Sequence, residues 1–116
     1  MEKFLSFAIV KDNSEQYLLV RYADGTWNFP GSTVPPKKLP QDVAMKAVLE
    51  LTDIACHIDQ NSSRVVCKAS KTFVYYFEAQ KLYGAARVIS DRITEVCWCN
   101  KDKAFKLLQE FPPQWQ

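Results

Sequence analysis

The chain has 116 residues and a mass of 13.4 kDa, long enough for one hydrophobic core and too short for two. An apolar share of 47% and a charged share of 24% are ordinary for a globular domain, and three glycines with six prolines exclude a low-complexity chain. A formal net charge of +2 argues against a dedicated nucleic-acid binder, which needs a clustered basic surface.

The chain opens M-E-K-F-L-S-F-A-I-V-K-D. No basic stretch precedes its apolar run and no small-residue cleavage site follows, so it reads as a first strand and not as a signal peptide. No apolar run reaches the roughly 20 residues of a membrane helix. The expectation is a cytoplasmic protein, away from membranes, with its four cysteines reduced.

Phe4 to Val10 is a strand ended by the turn cluster Lys-Asp-Asn-Ser, and Gln16 to Tyr22 follows at hairpin distance for antiparallel pairing. Asp24-Gly25 signals a second turn before the short stretch Trp27–Phe29. Pro30-Gly31 then opens a loop that holds Pro35-Pro36. Pro40 suits the first turn of a helix, and Val43, Ala44, Ala47, Val48 and Leu51 recur at helical spacing up to Thr52-Asp53. Ile54–Asp59, Arg64–Ala69 and Thr72–Ala79 read as strands, and Arg87–Ile89 and Thr94–Cys99 are further strand candidates. A terminal helix over Asp102–Glu110, with Ala104, Phe105, Leu107 and Leu108 inward, stops at Pro112-Pro113. With no repeat and no linker, residues 1–116 form a single mixed α+β domain.

D-G-T-W-N-F-P-G-S, followed by an amphipathic helix about twenty residues on, resembles the Nudix hydrolase family. The resemblance extends through F-V-Y-Y-F-E-A and I-T-E-V-C-W-C to the last helix. It implies the Nudix (MutT-like) fold, a mixed β-sheet sandwiched between α-helices. The family's box is G-x5-E-x7-R-E-U-x-E-E-x-G-U, with U aliphatic. Laid on this chain, its glycine falls at Ser32, its first glutamate at Lys38, its arginine at Lys46 and the next glutamate at Ala47. Val48 keeps an aliphatic position. Glu50 matches the first glutamate of the pair and Leu51 replaces the second, while Asp53 stands at the late glycine and Ile54 keeps the final aliphatic. The apolar frame persists, and most of the metal chemistry does not.

In the family, the helix acids bind magnesium or manganese, which bridges a pyrophosphate and activates a water. Positions 47, 50 and 51 share a helix face, so this chain offers one carboxylate, Glu50, as metal ligand and catalytic acid where the family has three. Glu78 and Glu95 are candidate acids from outside the box. Against a site, Glu50 can equally be a solvated residue paired with Lys46 at i,i+4. Lys37-Lys38 puts cations where the family carries an acid, and Lys46 keeps the charge of the arginine. Direct lysine-to-phosphate contact needs no metal bridge. Arg21, ending L-L-V-R, matches a position where the family places a substrate-contacting base. The substrate-binding candidates are thus Arg21, Lys38 and Lys46.

Cys97 and Cys99 share a strand face, and with no C-x-x-C spacing core packing is favoured over zinc. Phe73, Tyr75 and Phe77 also share a face, suited to core packing or to stacking a nucleobase. The apolar tail F-P-P-Q-W-Q docks on the body or marks a partner or homodimer contact. Three functions stand open. They are a Nudix-fold binder of a nucleotide or other phosphate-bearing ligand with little hydrolysis, a metal-dependent hydrolase of a nucleoside diphosphate linked to another moiety, and a structural or partner-binding module.

Overall fold

A computed structural model describes residues 2–116; Met1 lies outside the described residues. The chain runs β1 (Lys3–Lys11), β2 (Tyr17–Tyr22), β3 (Trp27–Asn28), β4 (Gly31–Thr33), α1 (Pro40–Thr52), β5 (Ala55–Ile58), β6 (Arg64–Lys68), β7 (Thr72–Tyr83), β8 (Ile93–Cys99) and α2 (Lys101–Leu107). One mixed sheet contains all eight strands, with the central path β3-β2-β1-β7-β5. β4 adds to β1, β6 to β7 and β8 to β2. Only β1 and β7 pair in parallel, from Lys3 opposite Thr72 to Lys11 opposite Gln80. The α+β class and the two helices match the expectation, except that α2 stops at Leu107, short of the expected Glu110, where Leu108 turns to extended backbone.

Strand alternation sorts the core onto both faces of the sheet. On one face Ala8, Val10, Leu18 and Phe77 pack with Ala44 and Val48 of α1. On the other, Ile9, Leu19, Phe29, Val74 and Tyr76 pack with Ala104 and Leu108. The tail docks on this second face. The Trp115 ring meets Tyr17 at 4.8 Å and Phe29 at 5.4 Å, and the Gln114 amide donates to the Ser62 and Tyr76 carbonyls. Of the inward set expected for α2, Ala104 and Leu108 are buried and Leu107 is half-buried. Phe105 is exposed on its outer side and packs on Phe111 and Trp115.

One expectation stands with a qualification and one changes. The first hairpin is antiparallel as expected, but its strands are in register at Lys11 and Tyr17 next to the turn; β1 spends its length against β7, a partner 69 residues on in the chain. Residues 87–89 are not a strand. The Arg87 amide donates to the Thr52 carbonyl and the Ile89 amide to the Leu51 carbonyl, so this segment satisfies the open C-terminal carbonyls of α1 instead of joining a ladder. No described helix is long and apolar enough to cross a membrane.

Candidate functional site

The loop between β4 and α1 is held from behind. Gly31 lies against β1 so closely that a Cβ there would stand 2.5 Å from the Ser6 carbonyl oxygen, which leaves room for no other residue. The Tyr22 hydroxyl donates to the Phe29 carbonyl at 2.9 Å and accepts from the Gly31 amide at 3.0 Å, so it spans the Pro30 turn. Burial pushes its pKa up to about 12. Arg92 donates to the Gly31 carbonyl at 3.0 Å from the far side. At the helix start, buried Ser6 donates its hydroxyl to the Pro40 carbonyl at 2.7 Å, tying β1 to α1. Sequence reading found Pro30-Gly31 but not Tyr22, Ser6 or Arg92, whose roles depend on long-range contacts.

Helix α1 begins at Pro40, where the missing N–H costs nothing, and its first turn carries Asp42 near the positive end of the helix dipole. It ends at Asp53, which takes the left-handed conformation (φ 64°, ψ 22°) and donates its amide to the Leu49 carbonyl. This is the position of the family's glycine. Aspartate tolerates that conformation better than most residues, and its carboxylate accepts from Arg87 Nε at 3.0 Å.

Between the loop and α1 lies a groove of about 290 Å³. Lys38, Asp42, Lys46 and Glu50 line it with Ser32 and Thr33. The structure therefore brings together three of the four expected site residues, Lys38, Lys46 and Glu50. It adds Asp42, which the sequence reading passed over although Asp42, Lys46 and Glu50 follow one another at i,i+4 on one face. Lys46 Nζ stands 3.6 Å from Glu50 Oε1, with both side chains mostly in solvent (73% and 54% exposed). Such a pair is worth less than about 1 kcal/mol and leaves the ammonium free to exchange its partner for a stronger anion.

Arg21 does not line this groove. It pairs across β2 and β8 with Glu95 at 2.8 Å and donates to the Gly25 carbonyl at 3.2 Å. Of the outside acids, Glu95 is held by Arg21, and Glu78 lies in a separate cleft with His57, Asp59 and Lys11; neither lines the groove of Glu50.

The residues present do not rebuild the family's three-carboxylate metal site, and Glu50 is left as its single acid. Ala47 and Leu51, at the two other acid positions, are 2% and 1% exposed. Leu51 packs with Val20 and Ile93 in a small apolar cluster, bordered by Tyr22 and Val96. Asp42 and Glu50 stand eight residues apart, roughly 12 Å along the helix axis, too far to share an ion bound at about 2.1 Å. Among the described residues, no three His, Cys, Asp or Glu side chains converge on one point. Cys99 is buried and Cys97 half-buried on the α2 face, as core packing requires.

The aromatic face of β7 divides. Phe77 is core. Tyr75 is half-buried and lies near the Phe4 ring (6.4 Å between centroids), and both line a larger groove beside the loop.

This architecture is similar to solved structures of Nudix hydrolases. The chain matches the Ap4A hydrolase of C. elegans in a binary complex with a TM-score of 0.79 and 16% identity, over 91% of this chain and 86% of that one. It matches an ADP-ribose pyrophosphatase from Streptococcus suis with a TM-score of 0.70 and 16% identity, over 97% and 79% of the two chains. A MutT protein from Methanosarcina mazei gives a TM-score of 0.71 and 20% identity over 92% and 84%. The chain has the Nudix fold. No protein-family model matches the sequence, and no curated protein matches it.

Proposed function

We propose that this domain binds a nucleotide or another small phosphate-bearing ligand in the groove between the 31–39 loop and α1, and hydrolyses it slowly or not at all. The observation that carries the reading is the pairing of Lys38 and Lys46 in one groove whose former acid positions hold buried Ala47 and Leu51. Lysine ammonium groups can donate directly to phosphate oxygens. Pyrophosphate hydrolysis in this family relies on several carboxylates to hold divalent metal, and the groove offers them no common focus. Arg21 lies outside this groove, and the reading leaves it in its pair with Glu95.

A second reading, a magnesium- or manganese-dependent hydrolase of a nucleoside diphosphate linked to another moiety, rests on Glu50, which keeps a family position and is exposed to the groove. A turnover screen over nucleotide and dinucleotide pyrophosphates with magnesium or manganese, run beside Glu50→Gln, separates the two. The first reading expects no turnover above that of the variant, with thermal stabilisation of the protein by a phosphate ligand. Metal-dependent turnover that disappears in the variant would establish the hydrolase. Neither turnover nor stabilisation would leave the fold as a structural or partner-binding module.

A further inference from the structure

β6 pairs only with β7, so its outer edge carries no further strand among the described residues. Such an edge leaves a row of peptide N–H and C=O groups free to pair with another chain. The two faces of β6 differ. On the α2 side, Val66 packs against the core and Lys68 pairs with Glu110 of the tail. On the α1 side the strand lies open. Val65 is 50% exposed and Cys67 is exposed, and the register sets them beside Tyr75 and Phe73. Phe4 stands next to Phe73 on the same face, with ring centroids 5.4 Å apart. Neither Phe4 nor Phe73 joins a core cluster, so these side chains form an apolar ledge that runs out to the β6 edge. The edge is also basic. By alternation Arg64 and Lys68 stand at its two ends on the α2 side. Lys71 follows in the next turn, and its carbonyl accepts from the Lys3 amide at 2.8 Å. Among the described residues, Arg64, Lys3 and Lys71 have no acid partner.

Charge selects what can sit there. Pairing β6 with β6 of a second copy, antiparallel about Val66, would set Arg64 opposite Lys68 at both ends, and like charges directly opposite destabilise a ladder. A nucleic-acid strand has no peptide groups to continue a ladder that repeats about every 3.3 Å. We infer that β6 receives an added strand from a partner protein, an extended acidic segment in which acids alternate with apolar residues. Its carboxylates lie opposite Arg64 and Lys68 on one face, and the apolar side chains on the other face extend the ledge of Val65, Cys67 and Phe73. The Glu110 carboxylate at Lys68 is a contact of the same kind. None of the residues around the groove of Lys46 and Glu50 lies on β6, so this docking does not require phosphate binding there.

The test is fluorescence anisotropy of the full chain with a labelled peptide, Ser-Glu-Val-Thr-Val-Glu-Ser, which reads alike in both directions and so suits a parallel or an antiparallel ladder. A counterpart with lysine for glutamate, a version with proline for the threonine, and a single-stranded oligothymidylate are titrated beside it. The acidic peptide is expected to bind at least about tenfold tighter than each of the other three and to slow hydrogen exchange at the β6 amides. Val65→Glu and Arg64→Glu, both at exposed positions, should each weaken it by about fivefold or more, with the circular dichroism of the chain unchanged. Equal binding of the basic or the proline peptide, or binding that survives both variants, would overturn the inference. So would the absence of acidic-peptide binding at about 1 mM. Tighter binding of the oligothymidylate would overturn it in favour of a nucleic-acid surface. A dimer in sedimentation that Val65→Glu abolishes would overturn it in favour of a second copy of this chain.

Discussion

Glu50 and Leu51 are neighbours in the chain and opposites in environment, and the contrast explains the site. Glu50 projects into solvent beside Lys46, whereas Leu51 is buried with Val20 and Ile93. The helix face at position 51 is therefore part of the core. Placing an acid there with Leu51→Glu should therefore not create a metal site. It would bury a carboxylate among apolar groups, where it has no partner, and should cost about 3 kcal/mol or more. Urea unfolding measures this; a loss below about 1 kcal/mol would mean that position 51 opens to the groove. Glu50→Gln, by contrast, should shift stability by less than about 0.5 kcal/mol, since it removes only an exposed pair. At this scale the sequence was informative about identity but not about placement. Aligning the motif located the acid positions, whereas only the packing of α1 shows that Ala47 and Leu51 are buried, Leu51 against Val20 and Ile93. Asp42 is not one of the motif's specified positions, falling in its variable stretch between Lys38 and Lys46, although its helical spacing from Lys46 was there to be read.

At the scale of elements, the site depends on how its loop is held at both ends. The Tyr22 hydroxyl bridges Phe29 and Gly31 at the loop's start. Tyr22→Phe should leave the Gly31 amide without that partner and cost about 1–3 kcal/mol, with a larger effect on ligand affinity than on secondary structure; far-UV circular dichroism and urea unfolding check this. At the helix end, Gly84 sits at φ 113°, and a Cβ there would stand 2.7 Å from the Asp53 carbonyl oxygen. Gly84→Ala should therefore cost about 2 kcal/mol or more; an unchanged unfolding midpoint would show that residues 84–92 do not brace α1. These joints explain what the sequence left hidden. Period and turn chemistry located α1 to within a residue and most strands to within a few. They could not show that β1 pairs in parallel with β7, because register across such a separation leaves no local trace. Residues 87–89 carry strand-forming side chains, yet the carbonyls of the last turn of α1 compete for their amides and win.

For the whole molecule, buried neutral acids set the alkaline limit. Burial raises the Cys56 thiol from 9.0 to about 11 and the Tyr22 phenol from 10.0 to about 12. Both shifts favour the neutral form in the fold, so their stabilisation is complete below pH 9 and is lost as pH climbs through 11 and 12. The urea midpoint should be flat from pH 7 to 8.5 and fall above pH 9; a midpoint that rises there would contradict the assignment. The same molecule-wide view frames the function. The chain has the Nudix fold, and the groove between loop and α1 offers two lysines and two separated carboxylates. In the function proposed above, phosphate binds there without a metal bridge. Calorimetric titration of ADP in EDTA and in excess magnesium, for the wild type and for the double variant Lys38→Glu/Lys46→Glu, tests it directly. Binding in EDTA is expected, with little change on adding magnesium and a loss of about tenfold or more in the double variant. Binding that appears only with magnesium, or that survives both charge reversals, would contradict it.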